Sequence, residues 1–198
     1  MTVILAVDLA AKLSAVVRRG PGGEVLAQFD SRNKTPLEFC ATVAREASEC
    51  DFTLVEDVPY GISSQAMVKP VLRLQGALIG YLTALGAVDR TLFISPSVWM
   101  AEFPGTQHAP RGMTKSAADK YRIEQAAHHA KEAGYEPPDL VAEYAATVPE
   151  GKRILKKDTA ILEKNMTDYV SAFLMSEFAR MFSFSELIEK KGISPAKL

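Results

Sequence analysis

The chain has 198 residues, 47% of them hydrophobic, and its 23 basic and 24 acidic side chains leave a net charge of −1. This length suits one well-packed domain and is short for two. The balanced charge is unlike that of a strongly basic nucleic-acid-binding protein, so such a partner would require locally concentrated positive charge. The apolar start contains Asp8 and lacks a positive segment, which argues against a signal peptide, and no uninterrupted apolar stretch predicts a membrane span. We therefore expect a soluble cytoplasmic protein.

The predicted strands come as a group of three and then two more, separated by helices. They cover residues 3–9, 13–19, 24–30, 52–57 and 91–95. The turn Gly20-Pro21-Gly22-Gly23 joins the second and third strands as a hairpin. The strand and helix order βββαβαβα predicts an α/β fold with a five-stranded mixed sheet, three antiparallel strands followed by two parallel ones, flanked by helices.

The helices are predicted from apolar periodicity and start signals. They cover residues 36–49, a short stretch from residue 63, then 70–85, 115–133, a segment from before residue 165 to at least 182, and 185–191. Thr35 is the expected N-cap of the first, because Pro36 follows it and Glu38 stands three positions on. Residues 103–114 and 137–152 are rich in proline, glycine or polar residues and are predicted as loops, the second with some irregular structure.

Two predicted strands end in a carboxylate. Asp8 interrupts the apolar run 3–11, and Glu56 lies at the end of the strand 52–57. An ionised carboxylate in a buried strand is costly unless it is paired, hydrogen-bonded or bound to a metal ion. The C-terminal ends of strands form the edge where open α/β sheets bind ligands, so we expect both acids to meet there. Asp57 lies on the opposite face of the strand and begins the loop, so Glu56 is the preferred partner of Asp8.

Asp168 is the third candidate acid and lies on the last long helix. The apolar face of that helix is predicted from Met166, Tyr169, Val170, Phe173, Leu174, Phe178 and Met181. Asp168 borders this face, and Asn165 lies one turn earlier on the same side. Carboxylate and amide oxygens suit hard cations such as Mg²⁺ and Mn²⁺, and a pair of such ions about 4 Å apart can promote phosphodiester cleavage. Each acid alone could instead cap a turn or a helix; the three together favour a metal site.

At these residues the chain resembles the RuvC-type Holliday-junction resolvases, within the RNase H-like superfamily. The order of an Asp after the first strand, a Glu after the fourth and an Asp in the last helix is the superfamily's pattern. Three local stretches resemble the RuvC branch: a glycine-containing helix at 72–80 (LRLQGALIG), a strand-to-proline connection at 95–99 (SPSVW) and a basic helix start at 114–120 (TKSAADK). The resemblance spans nearly the whole chain, although each motif is short.

The resemblance implies an RNase H-like nuclease domain over residues 1–198. It implies cleavage of branched DNA, above all Holliday junctions, by paired symmetric nicks in DNA recombination or repair. It also implies that Asp8, Glu56 and Asp168 are catalytic residues that bind Mg²⁺ or Mn²⁺, with two ions per active site. By the same resemblance, Lys115 contacts the scissile phosphate.

The chain departs from the family in two places. Asn165 stands where the family has an aspartate, so a neutral oxygen would be the fourth metal ligand and the second ion would be held less firmly. The region 137–163 is longer than in the cellular bacterial enzymes. This divergence resembles a bacteriophage version of the family.

Basic residues are concentrated around the loop and helix near residue 115 and again before the last long helix. The candidate DNA contacts are Lys12, Arg111, Lys115, Lys120, Arg122, Lys152, Arg153, Lys156 and Lys157. Phosphate binding by Lys and Arg does not depend on base sequence, which suits recognition of a branch by its shape. The alternative for each cluster is a solvated helix face.

Gly76 and Gly80 lie one turn apart on the helix 70–85 and permit close backbone approach. In the family this helix builds the homodimer interface, and a two-fold symmetric dimer suits two symmetric cuts in a four-way junction. The same glycines could instead pack tightly against the protein's own sheet.

Two other functions fit parts of the pattern. A sugar-kinase-like or actin-like ATP-binding domain also begins with a strand ending in Asp, but residues 9–12 (LAAK) lack the glycine-rich turn that would bind phosphate. A non-catalytic DNA-binding or scaffold protein with the same fold is compatible with Asn165.

Overall fold

The computed structural model describes residues 2–10, 13–57, 65–149, 155–191 and 193–196. The strands are β1 (Ile4–Asp8), β2 (Ala15–Arg19), β3 (Val25–Asp30), β4 (Phe52–Glu56), β5 (Thr91–Ile94) and β6 (Ser194–Pro195). The helices are α1 (Pro36–Ser48), α2 (Gln65–Ala84), α3 (Pro96–Met100), α4 (Lys115–Glu132), α5 (Leu140–Thr147), α6 (Lys156–Arg180) and α7 (Phe184–Lys191), with a 3₁₀ turn at Val88–Arg90.

All of these strands belong to one sheet in the order β3-β2-β1-β4-β5-β6. β1 and β3 each pair antiparallel with β2, whereas β1, β4 and β5 run parallel to one another. This confirms the predicted α/β fold with three antiparallel strands followed by two parallel ones. The two-residue β6 adds an antiparallel edge strand beside β5 that the sequence did not predict, because two residues carry no detectable alternation.

Helices cover both faces of the sheet and give two cores. Val7 on β1 and Val55 on β4 face the core under α1 and α2. Ala6 and Leu54, one position earlier on the same strands, face the core under α6. Because both faces of β1 are buried, its sequence is a continuous apolar run rather than an alternating one.

The ends of the helices follow local sequence signals, with some corrections. Thr35 caps α1 in a full capping box with Glu38, as predicted. The predicted loop 137–152 was wrong in part, because Asp139 caps α5 through a hydrogen bond from the Ala142 backbone N–H. Helix α3 was not predicted, since its five residues are too few for a periodic signal. The predicted helix start at residue 63 lies outside the described residues.

Helix α6 begins before residue 165, as predicted, but ends at Arg180, short of the predicted end at residue 182, and it lies against the middle of the sheet. It begins at Lys156 and packs on β1 and β2, with α4 and α5 against its other sides. Its predicted apolar face is buried from Tyr169 to Phe178, but Met181 is 53% exposed because the helix ends at Arg180. α6 therefore forms the wall above the C-terminal edge of β1 and β4.

Candidate metal centre and nucleic-acid interface

Strand alternation turns Asp8 and Glu56 toward the α6 layer. Asp8 lies two residues after Ala6 on β1 and therefore shares its face, and Glu56 follows Leu54 in the same way on β4. β1 and β4 are adjacent parallel strands paired up to the position just before these acids. The two carboxylates consequently lie side by side at one end of the sheet.

Asp57 has the opposite orientation. Nε2 of Gln75 on α2 donates a hydrogen bond of 3.1 Å to its carboxylate. This contact puts Asp57 in the α2 layer, on the other side of the sheet from Glu56. The structure thus brings Glu56, and not its neighbour, to the side of Asp8.

Asp168 reaches the same place from α6. Asp8 is 7% exposed, and its pKa is well above its ordinary value, first because of burial and then because of the charges of Glu56 and Asp168. The Ser171 hydroxyl donates a hydrogen bond to the Asp8 carboxylate and opposes this rise. Asp168 and Ser171 are three residues apart on α6, so both lie on the side of the helix that faces β1.

Glu56 is also held in a setting that disfavours its charge. Burial and then the charge of Asp168 raise its pKa to about 7, while the Trp99 indole N–H lowers it. Trp99 is 3% exposed, and its Nε1 makes no hydrogen bond of ordinary geometry within the described residues. The indole N–H is therefore near enough to Glu56 to stabilise its negative charge, although the two groups do not form a hydrogen bond of ordinary geometry.

The donor atoms fit a hard divalent cation. Asp8, Glu56 and Asp168 offer carboxylate oxygens from three separate elements. The charge of Asp168 contributes to the raised pKa of both Asp8 and Glu56. Within the part of the chain that the structure describes, no three His, Cys, Asp or Glu side chains converge to ligating distance of one point. Repulsion between like charges opposes closer approach, and a cation between the carboxylates would remove that repulsion.

Asn165 lies one turn before Asp168 on α6 and is partly buried. This places it on the side of the helix predicted from the sequence. Its amide can supply an oxygen without adding a fourth negative charge.

A cleft opens directly beside Glu56. Its volume is about 620 Å³, and its walls come from α3, α4 and α6. The apolar lining includes Met100, Ile123, Met166 and Val170. Ser171, the hydrogen-bond partner of Asp8, lines the same cleft, so the cleft and the acidic cluster are continuous.

One of the predicted basic residues of α4 lies in the cleft. Arg122 lines the cleft and forms an ion pair with Asp119, which also lines it. Lys115 is exposed at the start of α4, one turn before Asp119. Lys120 is exposed, 3.6 Å from Glu124. Neither lysine is part of the cleft lining.

The other candidate DNA contacts are either not part of the cleft lining or lie outside the described residues. Arg111 is exposed in the loop before α4, and Lys156 is exposed at the start of α6. Lys12, Lys152 and Arg153 lie outside the described residues, as does the side chain of Lys157.

A second polar group at the same edge was not predicted. Asp30, at the end of β3, is 5% exposed and accepts hydrogen bonds from the Arg32 backbone N–H (2.7 Å), the Arg32 Nε (2.7 Å) and the Tyr169 hydroxyl (2.8 Å). Glu143 on α5 binds the far end of the Arg32 guanidinium at 3.0 Å. This group joins β3, α5 and α6 next to Asp168.

Ser171 and Trp99 were also missed as site residues. Ser171 could have been found from its three-residue spacing after Asp168, the same spacing that indicated Asn165. Trp99 carried no such signal, because its approach to Glu56 depends on the short helix α3, which the sequence did not predict.

The glycines of α2 face outward. Gly76 and Gly80 are exposed, and a Cβ built on either one would meet no atom of the described residues within 4 Å. The alternative that they pack against the protein's own sheet is therefore wrong. None of the helices in the described ranges is both long and apolar enough to cross a membrane.

Comparison with known proteins gives a structural match and no sequence match. No protein-family model matches the chain, and no curated protein does. Among solved structures, the chain is similar to T. thermophilus RuvC in complex with a Holliday junction substrate, at 13% sequence identity and a TM-score of 0.50. The match covers 91% of this chain and 96% of that one. At this identity the likeness concerns the fold alone, and this chain has a RuvC-like, RNase H-like fold.

Proposed function

We propose that this protein is a divalent-metal-dependent endonuclease that cuts branched DNA, with the Holliday junction as its principal substrate and paired symmetric nicks as its products. The observation that carries the proposal is the convergence of Asp8, Glu56 and Asp168 from β1, β4 and α6 on one side of the sheet edge. One buried and two partly buried acids that repel one another beside an open cleft are costly for stability and bring no evident packing benefit. The solved RuvC structure of the same fold contains a Holliday junction substrate, which supports the choice of DNA.

Asp8, Glu56 and Asp168 would hold Mg²⁺ or Mn²⁺, two ions per site, with the Asn165 oxygen as a further ligand. When bound, the cations supply activation of a water and neutralisation of the leaving oxygen. Ser171 orients the Asp8 carboxylate through its hydrogen bond. Lys115, at the exposed start of α4, is the proposed contact of the scissile phosphate.

The DNA would approach along the mouth of the cleft. Arg122 lines the cleft, Lys115 is exposed at the start of α4, and Arg111 lies in the loop just before it. The ion pair with Asp119 already restricts the Arg122 guanidinium. Binding of a phosphate by Arg122 would therefore cost little additional side-chain entropy. Lys12, Lys152, Arg153, Lys156 and Lys157 are further proposed DNA contacts. The nuclease domain would cover residues 1–198, with 137–163 as a variable region longer than in the cellular bacterial enzymes.

The first test is a panel of labelled linear, flap, fork and four-way DNAs, each incubated with Mg²⁺ or Mn²⁺. The proposal predicts symmetric paired nicks in the four-way junction and little cleavage of linear duplex. Cleavage of all substrates at similar rates would contradict the branch selectivity. Binding of the junction without cleavage in either metal would contradict the nuclease activity.

The matched variants are Glu56→Gln and Asp57→Asn, adjacent acids with opposite orientations. Glu56→Gln should abolish cleavage, whereas Asp57→Asn should leave it near the wild-type rate because Asp57 faces α2. Equal loss in both variants would contradict the assignment of Glu56.

A second function is favoured by one observation, the neutral Asn165 in place of the family's aspartate. A catalytically weak relative would bind branched DNA as a scaffold. The variant Asn165→Asp distinguishes the nuclease from the scaffold. In an inactive scaffold it should restore cleavage of branched DNA, whereas in an active nuclease it should change the cleavage rate only modestly. An ATP-binding function predicts thermal stabilisation by nucleotide, with no cleavage of any DNA in the panel.

We further propose a homodimer through α2. The exposed face of this helix carries Gly76 and Gly80 together with Leu72, which is 49% exposed. Gly80→Leu adds a large side chain into the proposed contact and should yield monomers in sedimentation analysis. Lys131→Leu, exposed on α4, is the control that adds similar bulk elsewhere and should leave the dimer intact. A wild-type monomer at all concentrations would overturn the dimer proposal.

A further inference from the structure

We propose that the cleft between α4 and α6 binds one nucleobase of the DNA strand being cut, unstacked from its neighbours, next to the scissile phosphate. This inference rests on the proposed nuclease function and specifies how its substrate is held. The cleft is a binding site for a flat, largely apolar group.

The position of the cleft fixes what can occupy it. Glu56 forms part of its wall, and Ser171 connects the wall to Asp8. A phosphate held at the acidic cluster would therefore have one of its two attached nucleosides at the cleft. The charged pair Arg122 and Asp119 lines the α4 side.

The lining matches a nucleobase better than it matches a phosphate or a sugar. Met166 and Val170 on α6 and Ile123 and Ala127 on α4 line the cleft, so both helices contribute apolar side chains that can contact the faces of a ring. Ile123 is 47% exposed, so its apolar surface is available to a ligand. A volume of about 620 Å³ exceeds that of a single base and accommodates the attached sugar as well.

The indole N–H of Trp99 does not face the open cleft. Trp99 lines the cleft and is 3% exposed, and its Nε1 is inaccessible to solvent. This side chain lowers the pKa of Glu56, so the Glu56 carboxylate is an acceptor close to the indole. Thr106, in the same lining, already donates to the backbone carbonyls of Met100 and Phe103. The apolar lining therefore carries the proposed contact with a base.

Unstacking a base costs less at a branch than in continuous duplex, because bases at a branch point have already lost part of their stacking. A base pocket beside the cut would therefore favour branched substrates over linear ones. This links the cleft to the proposed selectivity rather than to the chemical step.

The test uses four-way junctions with an abasic nucleotide on either side of the cut. We expect one of the two abasic junctions to be cut about tenfold more slowly than the intact junction.

Ala127→Phe fills the cleft from an exposed position and should slow cleavage of the intact junction similarly, with no further effect of the abasic site. Ile123→Ala, a milder change, should reduce the difference between intact and abasic junctions. Ala117→Phe, on the exposed start of α4 outside the cleft lining, is the control and should retain wild-type sensitivity.

A second readout does not require cleavage. The non-cutting Asp8→Asn protein is bound to junctions that carry 2-aminopurine beside the cut, whose fluorescence rises on unstacking. We expect a rise at one flanking position, lost when Ala127→Phe is added. Normal cleavage with equal rates on intact and abasic junctions, or binding without any fluorescence rise, would overturn the base pocket while leaving the nuclease proposal intact. A fluorescence rise without wild-type cleavage would support the pocket and contradict the nuclease.

Discussion

Asp8 and Asp30 occupy equivalent places in the sheet and have opposite surroundings. Asp8 ends β1 and Asp30 ends β3, and both are aligned with Ala15 of β2 in the strand register. Their exposed fractions are 7% and 5%, and both face α6. Asp30 is paired with Arg32 and accepts from the Tyr169 hydroxyl, whereas Asp8 has the charges of two other acids nearby and a raised pKa.

The difference separates a carboxylate that is compensated within the chain from one that is not, and the second is the proposed metal ligand. A paired and fully hydrogen-bonded acid stabilises the fold, because its charge is compensated within the chain. An acid surrounded by like charge destabilises the fold unless something outside the chain compensates it. Tyr169 and Asp168 are adjacent on α6. The same stretch of helix therefore supplies the hydrogen bond to Asp30 and the negative charge near Asp8.

The largest expected effect is on cleavage by Asp8→Asn. Loss of one charged ligand should reduce the cleavage rate on the order of 10³-fold, because the proposed cations would no longer be held correctly. The same change removes a buried, repelled charge, so the free energy of unfolding without metal should not fall. Single-turnover cleavage and chemical denaturation measure the two quantities. A large loss of stability in Asp8→Asn would show that Asp8 has a structural role like that of Asp30.

Asp30→Asn should have the opposite pattern. It removes the charge that Arg32 binds, and the free energy of unfolding should fall by about 2 kcal/mol, a value reduced from that of a fully buried pair because Arg32 is 28% exposed. Denaturant titration measures the loss. Cleavage at a temperature where the variant is folded should remain within a few-fold of wild type. Wild-type stability in this variant would contradict the structural role of the pair.

The stability of the metal-free protein should depend on pH because of the acidic cluster. The pKa of Glu56 is raised from 4.5 to about 7, and that of Asp8 is raised from 3.8. Between about pH 4.5 and 7 the folded protein retains a proton that the unfolded chain releases, so the free energy of unfolding falls as pH rises through this range. The loss should be on the order of 3 kcal/mol for Glu56. Denaturation at several pH values in chelator tests this slope, which Glu56→Gln should reduce and Asp57→Asn should not.

Ser171→Ala should weaken metal binding without removing a ligand. The hydroxyl supports the ionised form of Asp8, so its loss should raise the pKa of Asp8 further and increase the metal concentration needed for half-maximal cleavage about tenfold. Metal titrations of the cleavage rate measure this. Ser176→Ala, one and a half turns further along α6, is the control, since Ser176 donates only to the Phe173 carbonyl. An unchanged metal requirement in Ser171→Ala would contradict the role assigned to the hydroxyl.

The smallest expected effect is that of Asn165→Asp in an active nuclease. A fourth carboxylate adds charge for the cation, so the metal requirement should fall about threefold. The additional like charge should slightly lower the free energy of unfolding of the metal-free protein. The acids near Asp8 would then differ even more from Asp30, whose charge is paired with Arg32. Metal titration and denaturation in chelator check the two effects. A higher metal requirement would indicate that Asn165 does not face the cation.

The sheet and the acidic cluster were predictable from sequence for the same physical reason. Continuous apolar runs marked the buried strands, and an acid at the end of such a run is conspicuous because burial of charge is costly. Alternation then separated Glu56 from Asp57 correctly. The Asp30 group escaped notice because its partners Arg32, Glu143 and Tyr169 are far apart in sequence, and β3 has an exposed, mixed pattern. The cleft escaped notice because it depends on how α3, α4 and α6 pack together.

The most direct test of the central claim is thermal unfolding of the wild type and of Asp8→Asn at pH 7.5, each with chelator and with millimolar Mg²⁺ or Mn²⁺. If the three acids form a cation site, metal should raise the melting temperature of the wild type by several degrees and should leave that of Asp8→Asn unchanged. Asp30→Asn should melt at a lower temperature but keep the metal-dependent rise. No rise in the wild type, or an equal rise in Asp8→Asn, would contradict the account.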